Sequence, residues 1–225
     1  QFTLNQLAEH RRGQMLTNAA YTSLGRVKGA LANHANETYK RLPSEQHKQM
    51  TRTLFLRLID PGLTEQDTTR RRALLTELTM PDGSKTQMLL TITNAFVDAR
   101  LLTVSTVAGA ASLEVSHEAL IREWSMLADW VHTCREDVRT QQRISEDVHR
   151  WLSHNKRADD LYRGANLVEA QDWATRNEPN VDELSFIEAS ADLEAQERSA
   201  SERITSSLLA TATHDLRSPL TAVKG

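Results

Sequence analysis

A mainly α-helical fold with one small β-hairpin and a long, coiled-coil-like C-terminal helix is what this sequence predicts. Three observations carry that expectation. Apolar residues recur at three- and four-residue spacing along most of the chain. The period shortens to two only over 101–105 and 112–116. Beyond Asn177-Glu178-Pro179-Asn180 the apolar stripe thins to a narrow seam.

Taken in order, residues 2–12 read as a short amphipathic helix bearing Phe2, Leu7 and Ala8, stopped by Gly13. Thr17 caps a brief helix that ends before Gly25. Val27, Ala30, Leu31, His34, Ala35, Tyr39 and Leu42 share one face of the next helix. Pro43 breaks it, and Ser44 caps a helix carrying Met50, Leu54, Phe55, Leu58 and Ile59. Asp60-Pro61-Gly62 is a stop signal.

Residues 68–79, with the run Arg70-Arg71-Arg72, are expected to be helical up to a Pro81-Asp82-Gly83 turn. A helix over about 86–100 places Leu89, Ile92, Phe96 and Ala99 on one stripe. Strands at 101–105 and 112–116 then flank a loop with Ala108-Gly109-Ala110. Three helices followed by a two-stranded hairpin is the order of a winged-helix domain, expected over residues 44–116.

Residues 117–176 read as a helical module. Leu120, Trp124, Leu127, Val131, Cys134, Val138, Ile144, Val148 and Trp151 keep helical spacing. A further helix near 158–176 presents Leu161, Tyr162, Ala165, Val168 and Trp173. Residues 177–200 are expected as a linker and signalling helix. Over 181–216 the seam includes Leu193, Ala200, Ile204 and Leu208, narrow enough for a coiled coil rather than a domain core.

Composition bounds the function. The 225 residues are 39% hydrophobic and 25% charged, enough for one or two real cores. A net charge of −3 argues against a protein held to nucleic acid mainly through phosphates. The single cysteine, Cys134, cannot close an intramolecular disulfide and reads as a small buried apolar residue. The chain has no apolar run near the roughly 18 residues of a membrane span and no signal peptide, so a cytoplasmic location is expected. Gln1 at the start and an interrupted helix at the end read as cuts in a longer polypeptide, with residues 1–43 following an NTPase core.

Four blocks carry a family likeness: G-R-V-K-G-A-L-A-N-H-A (25–35), T-L-F-L-R-L-I (53–59), V-S-H-E-A-L-I-R-E-W (115–124) and L-Y-R-G-A-N-L-V-E-A-Q-D-W-A (161–174). Over about residues 1–176 the chain resembles the C-terminal regulatory part of the novel STAND family of signal-transducing NTPases. The resemblance implies an upstream domain that binds ATP or ADP with magnesium, over which the winged helix closes in the resting state. No G-x-x-x-x-G-K-[ST] occurs here, so no cofactor is assigned to the chain itself, nor is any metal. By analogy with related switches, His117 would donate to the nucleotide's β-phosphate and report ADP against ATP. The competing reading is a helix cap or a bond to the wing. A DNA-binding regulator is a further alternative, but the third helix offers little beyond Lys85 and Arg100.

The tail T-A-T-H-D-L-R-S-P-L-T-A-V-K-G (211–225) differs in kind. His214-Asp215-Leu216-Arg217-Ser218-Pro219-Leu220 resembles the H-box of sensor histidine kinases, so residues 201–225 read as the start of a phosphoacceptor helix. The resemblance implies His214 as phosphoacceptor, Asp215 as general base and Ser218 at the position that assists dephosphorylation. It also implies a downstream ATP-binding kinase domain, a response regulator, and a homodimer through the tail helix. The two-component reading competes with a STAND switch that drives a non-kinase effector.

Overall fold

The computed structural model describes residues 26–107 and 109–221. The helices expected over 2–12 and 17–24 lie outside the described residues. Helix α1 (Arg26–Lys40) is followed by α2 (Glu45–Arg57), whose first turn is capped by Ser44 accepting from the His47 N–H. The Asp60-Pro61-Gly62 stop is a turn between two short antiparallel strands, β1 (Ile59–Asp60) and β2 (Thr69–Arg70). Gly62 has φ +58°, and a Cβ there would lie 2.6 Å from that of Asp67, so the turn requires glycine.

The helix expected over 68–79 is not formed. Thr69–Arg70 pair with β1, β3 (Ala73–Leu74) pairs with the hairpin, and Leu75–Leu78 make one 3-10 turn. Strand partners outweigh local helix preference here. The arginine run is held within the fold: Arg70 donates to the Val115 carbonyl, Arg71 to Glu77 and the Arg57 carbonyl, and Arg72 to Glu114.

Helix α3 (Gly83–Asp98) starts three residues earlier than expected because Asp82 caps it through the Ser84 N–H, 2.8 Å. It ends at Arg100, φ 57°, where the Leu101 N–H reaches the Phe96 carbonyl at 2.9 Å. The hairpin follows as expected: β4 (Leu102–Val107) pairs antiparallel with β5 (Ala110–Val115), Val104 opposite Leu113. With β3 it makes a three-stranded sheet in the order β3-β5-β4.

The helical module is more broken than its periodicity implies. One continuous helix from His117 is replaced by α4 (Ala119–Glu123), α5 (Ser125–Thr133) and α6 (Arg135–Ser153). The break at Trp124 turns its indole into the core, where it meets Phe55, Phe96 and Trp130 at centroid distances of 5.1, 5.9 and 5.6 Å. Its Nε1 donates to Asn36 Oδ1 at 2.7 Å. Helix α7 (Ala165–Arg176) begins after Gly164, not near residue 158, and Val168, expected on its buried stripe, is exposed. Helix α8 runs unbroken from Val181 to Thr221.

Two cores result. The first gathers Leu54, Phe55, Leu89, Ile92, Phe96, Leu113, Trp124 and their neighbours from α1–α5 and the sheet. In the second, Ile144, Val148, Trp151, Leu167, Trp173, Phe186 and Ile187 bring together α6, α7 and the start of α8. The segment expected as a linker is therefore packed at its beginning: Asn180, Glu183, Phe186, Ile187 and Ser190 are all buried. Farther on, Ile204 and Leu208 of the thin seam are exposed.

Candidate functional site

Where the two cores meet, the sequence puts an arginine at the end of α2 and a glutamate in the first turn of α8. Arg57 and Glu183 are both buried. Arg57 Nη1 donates to Glu183 Oε1 at 2.9 Å and Nη2 to Oε2 at 2.8 Å, a two-pronged pair. Gln141 Nε2 and Ser145 Oγ from α6 each donate to Glu183 Oε1 at 2.9 Å. Asn180 and Glu183 cap each other, main-chain N–H to side-chain oxygen, at 2.8 Å in both directions. Burial alone would push the Glu183 carboxyl up, but the Arg57 guanidinium and these donors hold it below the usual range.

Further bonds tie the junction to the first core. Arg57 Nη2 also donates to the Glu178 carbonyl, and the Val181 N–H to the Thr79 carbonyl at 2.9 Å. Lys85 pairs with Glu178 at 2.7 Å. One donor of the pair is left over: Arg57 Nε is buried with no hydrogen-bond partner among the described residues. Beside it opens a cleft of about 130 Å³ lined in part by Arg52, Arg57, Gln141, Trp173 and Glu178.

The L-Y-R-G-A block grips the same long helix further along. The Tyr162 N–H donates to Ser190 Oγ at 3.1 Å and the Gly164 N–H to Glu194 Oε2 at 3.0 Å. Arg163 reaches Glu197 through Nε and Nη2, both within 3.2 Å of Oε1. Glu183, Ser190, Glu194 and Glu197 follow at helical spacing and form one polar stripe on α8. Sequence reading missed this site, although Asn180 followed three residues later by Glu183 is a capping signal that could have marked its start.

The expected site residues fall elsewhere. His117 is exposed between β5 and α4; its carbonyl accepts the Leu120 N–H at 2.8 Å, and among the described residues its imidazole takes no hydrogen bond. A ring so placed suits one donor to a phosphate held by another domain, and by itself does not build a nucleotide site. His214, Asp215 and Ser218 lie on the backbone of α8, and their side chains are outside the described residues. Among the described residues there is no cluster of His, Cys, Asp and Glu fit to hold a metal ion, and no helix long and apolar enough to cross a membrane.

Compared with protein families, residues 1–159 match the one described as Novel STAND NTPase 1. No curated protein and no solved structure matches the chain.

Proposed function

The chain belongs to the Novel STAND NTPase 1 family, and from that premise we propose that it is the regulatory and output region of a nucleotide switch in the cytoplasm. It couples an upstream NTPase domain, loaded with ATP or ADP and magnesium, to a histidine phosphoacceptor on α8. The observation that carries the reading is one uninterrupted helix whose first turn places Glu183, buried, at the junction of the two cores and whose far end bears His214-Asp215-Leu216-Arg217-Ser218-Pro219.

The order α2, β3, 3-10 turn, α3 and hairpin supports a winged helix over 44–116, with the 3-10 turn standing where the second helix is usually longer. Its exposed His117 would face the nucleotide. A DNA-reading role finds less support, because Lys85 is paired with Glu178, the arginine run is paired internally, and the apolar face of α3 is buried.

In the proposed reaction a His214 ring nitrogen attacks the γ-phosphorus of ATP. The P–N bond forms as the P–O bond to ADP breaks, while Asp215 takes the proton from the other ring nitrogen. The phosphoryl group would pass to a response regulator, a new P–O bond to its acceptor forming as the P–N bond breaks, and Ser218, one turn along from His214, would orient the water for hydrolytic dephosphorylation. ATP would be presented by a downstream kinase domain. Ile204, Leu208 and Leu209, exposed along α8, fit the seam of a homodimer.

The test is a full-length protein carrying His214→Gln, incubated with radiolabelled ATP. Acid-labile label is expected on the wild type and absent from the variant. Equal label on both would leave a STAND switch with some other effector.

A further inference from the structure

We propose that the Arg57–Glu183 pair is a latch between the two cores, closed in this structure, whose opening frees the first turns of α8. This rests on the reading of α8 as the output element. It concerns how that element is held, not the chemistry at its far end.

Four considerations point the same way. The pair joins α2, packed in the first core, to α8, packed in the second, so movement of one core against the other acts directly on it. It is also an expensive contact for stability alone, since a buried ion pair exchanged for well-packed apolar residues is commonly neutral or stabilising. Its arginine keeps a buried Nε that has no partner among the described residues. Finally, a cleft of about 130 Å³ lies beside Arg57, space toward which the guanidinium can swing off Glu183.

The two holds on α8 differ in reach. Tyr162, Arg163 and Gly164 grip Ser190, Glu194 and Glu197 from within the same half of the molecule. Arg57 alone among the stripe's partners comes from α2. Losing it leaves a buried carboxylate on Gln141 and Ser145 alone among its side-chain donors, and the tie to the first core on the weaker Val181–Thr79 and Lys85–Glu178 bonds, while the later grip persists. The unlatched state is thus a helix loosened over its first two turns and still seated at Ser190.

Hydrogen exchange tests this without reference to phosphoryl transfer. In this chain, Arg57→Met should speed exchange of amides in 178–190 about tenfold or more beyond any rise over 89–96, which follows global unfolding. The double variant Arg57→Met/Glu183→Gln should restore part of the protection, because no charge is left buried while the amide oxygen still accepts from Gln141, Ser145 or the Asn180 main chain. In the full-length protein, exchange over 178–190 should differ between the ADP and ATP states of the wild type and be equal in the double variant. A uniform rise across the chain, no change over 178–190, or a double variant that still responds to nucleotide would overturn the latch. Loss of His214 labelling alone would count against the phosphoacceptor and leave the latch standing.

Discussion

Arg57 and Glu183 stand 126 residues apart in the chain and meet through two parallel hydrogen bonds of 2.9 and 2.8 Å, both side chains sealed from solvent. The carboxylate accepts three more bonds, from Gln141, Ser145 and the Asn180 main chain. Cutting one side of such a pair leaves an uncompensated charge in the interior. Arg57→Met should therefore cost about 3–5 kcal/mol in urea unfolding, with Glu183→Gln costing less because the amide keeps part of the bonding. A loss below about 1 kcal/mol for Arg57→Met would mean water reaches the pair.

The same carboxylate sets a pH dependence. Glu183 titrates lower in the folded chain than in the unfolded one, because Arg57 and its other donors outweigh the upward push of burial. A depressed folded value contributes stability that is complete above the unfolded pKa of about 4.3 and disappears as pH falls through the folded value. Unfolding free energy measured from pH 7 down to pH 3 should fall more steeply for the wild type than for Glu183→Gln. Parallel curves would contradict the assignment.

Trp124 closes the first core against Phe55, Phe96, Tyr39 and Trp130. Trp124→Ala should destabilise by about 3–5 kcal/mol and flatten the near-ultraviolet circular dichroism from that aromatic group. Trp124→Phe should recover most of the packing but still lose the bond to Asn36.

At Gly62 any side chain meets both a left-handed backbone and the Asp67 Cβ. Gly62→Ala should lower stability by more than about 1 kcal/mol. It should also loosen the turn whose carbonyls receive Arg135 and Arg139, seen as faster exchange over 60–68. No change in either measurement would show that the turn relaxes freely.

His117 is exposed, so His117→Ala should shift the unfolding free energy of this chain by no more than about 0.5 kcal/mol. In the full-length protein the same change should alter the ratio of ADP to ATP affinity, read by nucleotide displacement. An unchanged ratio would remove His117 from the nucleotide site.

Much of the fold could be read from local pattern. The Ser44 cap, the hairpin and the stripe of α3 each depend on neighbours a few residues away, and each formed where expected. What could not be read depends on distant partners. Thr69–Arg70 and Ala73–Leu74 leave a helical-looking stretch because strands at 59–60 and 112–113 await them. Trp124 breaks a helix because Phe55 and Phe96 lie behind it. The junction was hidden for the same reason: a glutamate in a polar helix looks like any solvated charge until Arg57 is placed opposite. The blocks 115–124 and 161–174 held a different lesson. Leu120, Ile121 and Trp124, inside the residues that match the family, are packing residues, while Tyr162 to Gly164, beyond them, grip α8.

Helix α8 is also a lever. The position of His214 lies about 25 Å along the axis from Glu197, where Arg163 holds the helix. A tilt of about 10° at the fulcrum would carry that point about 4 Å sideways, several times the roughly 1 Å misplacement that can slow a positioned reaction a hundredfold. Angular play too slight to disturb the packing at Phe186 would be magnified into an all-or-none difference at the distal end.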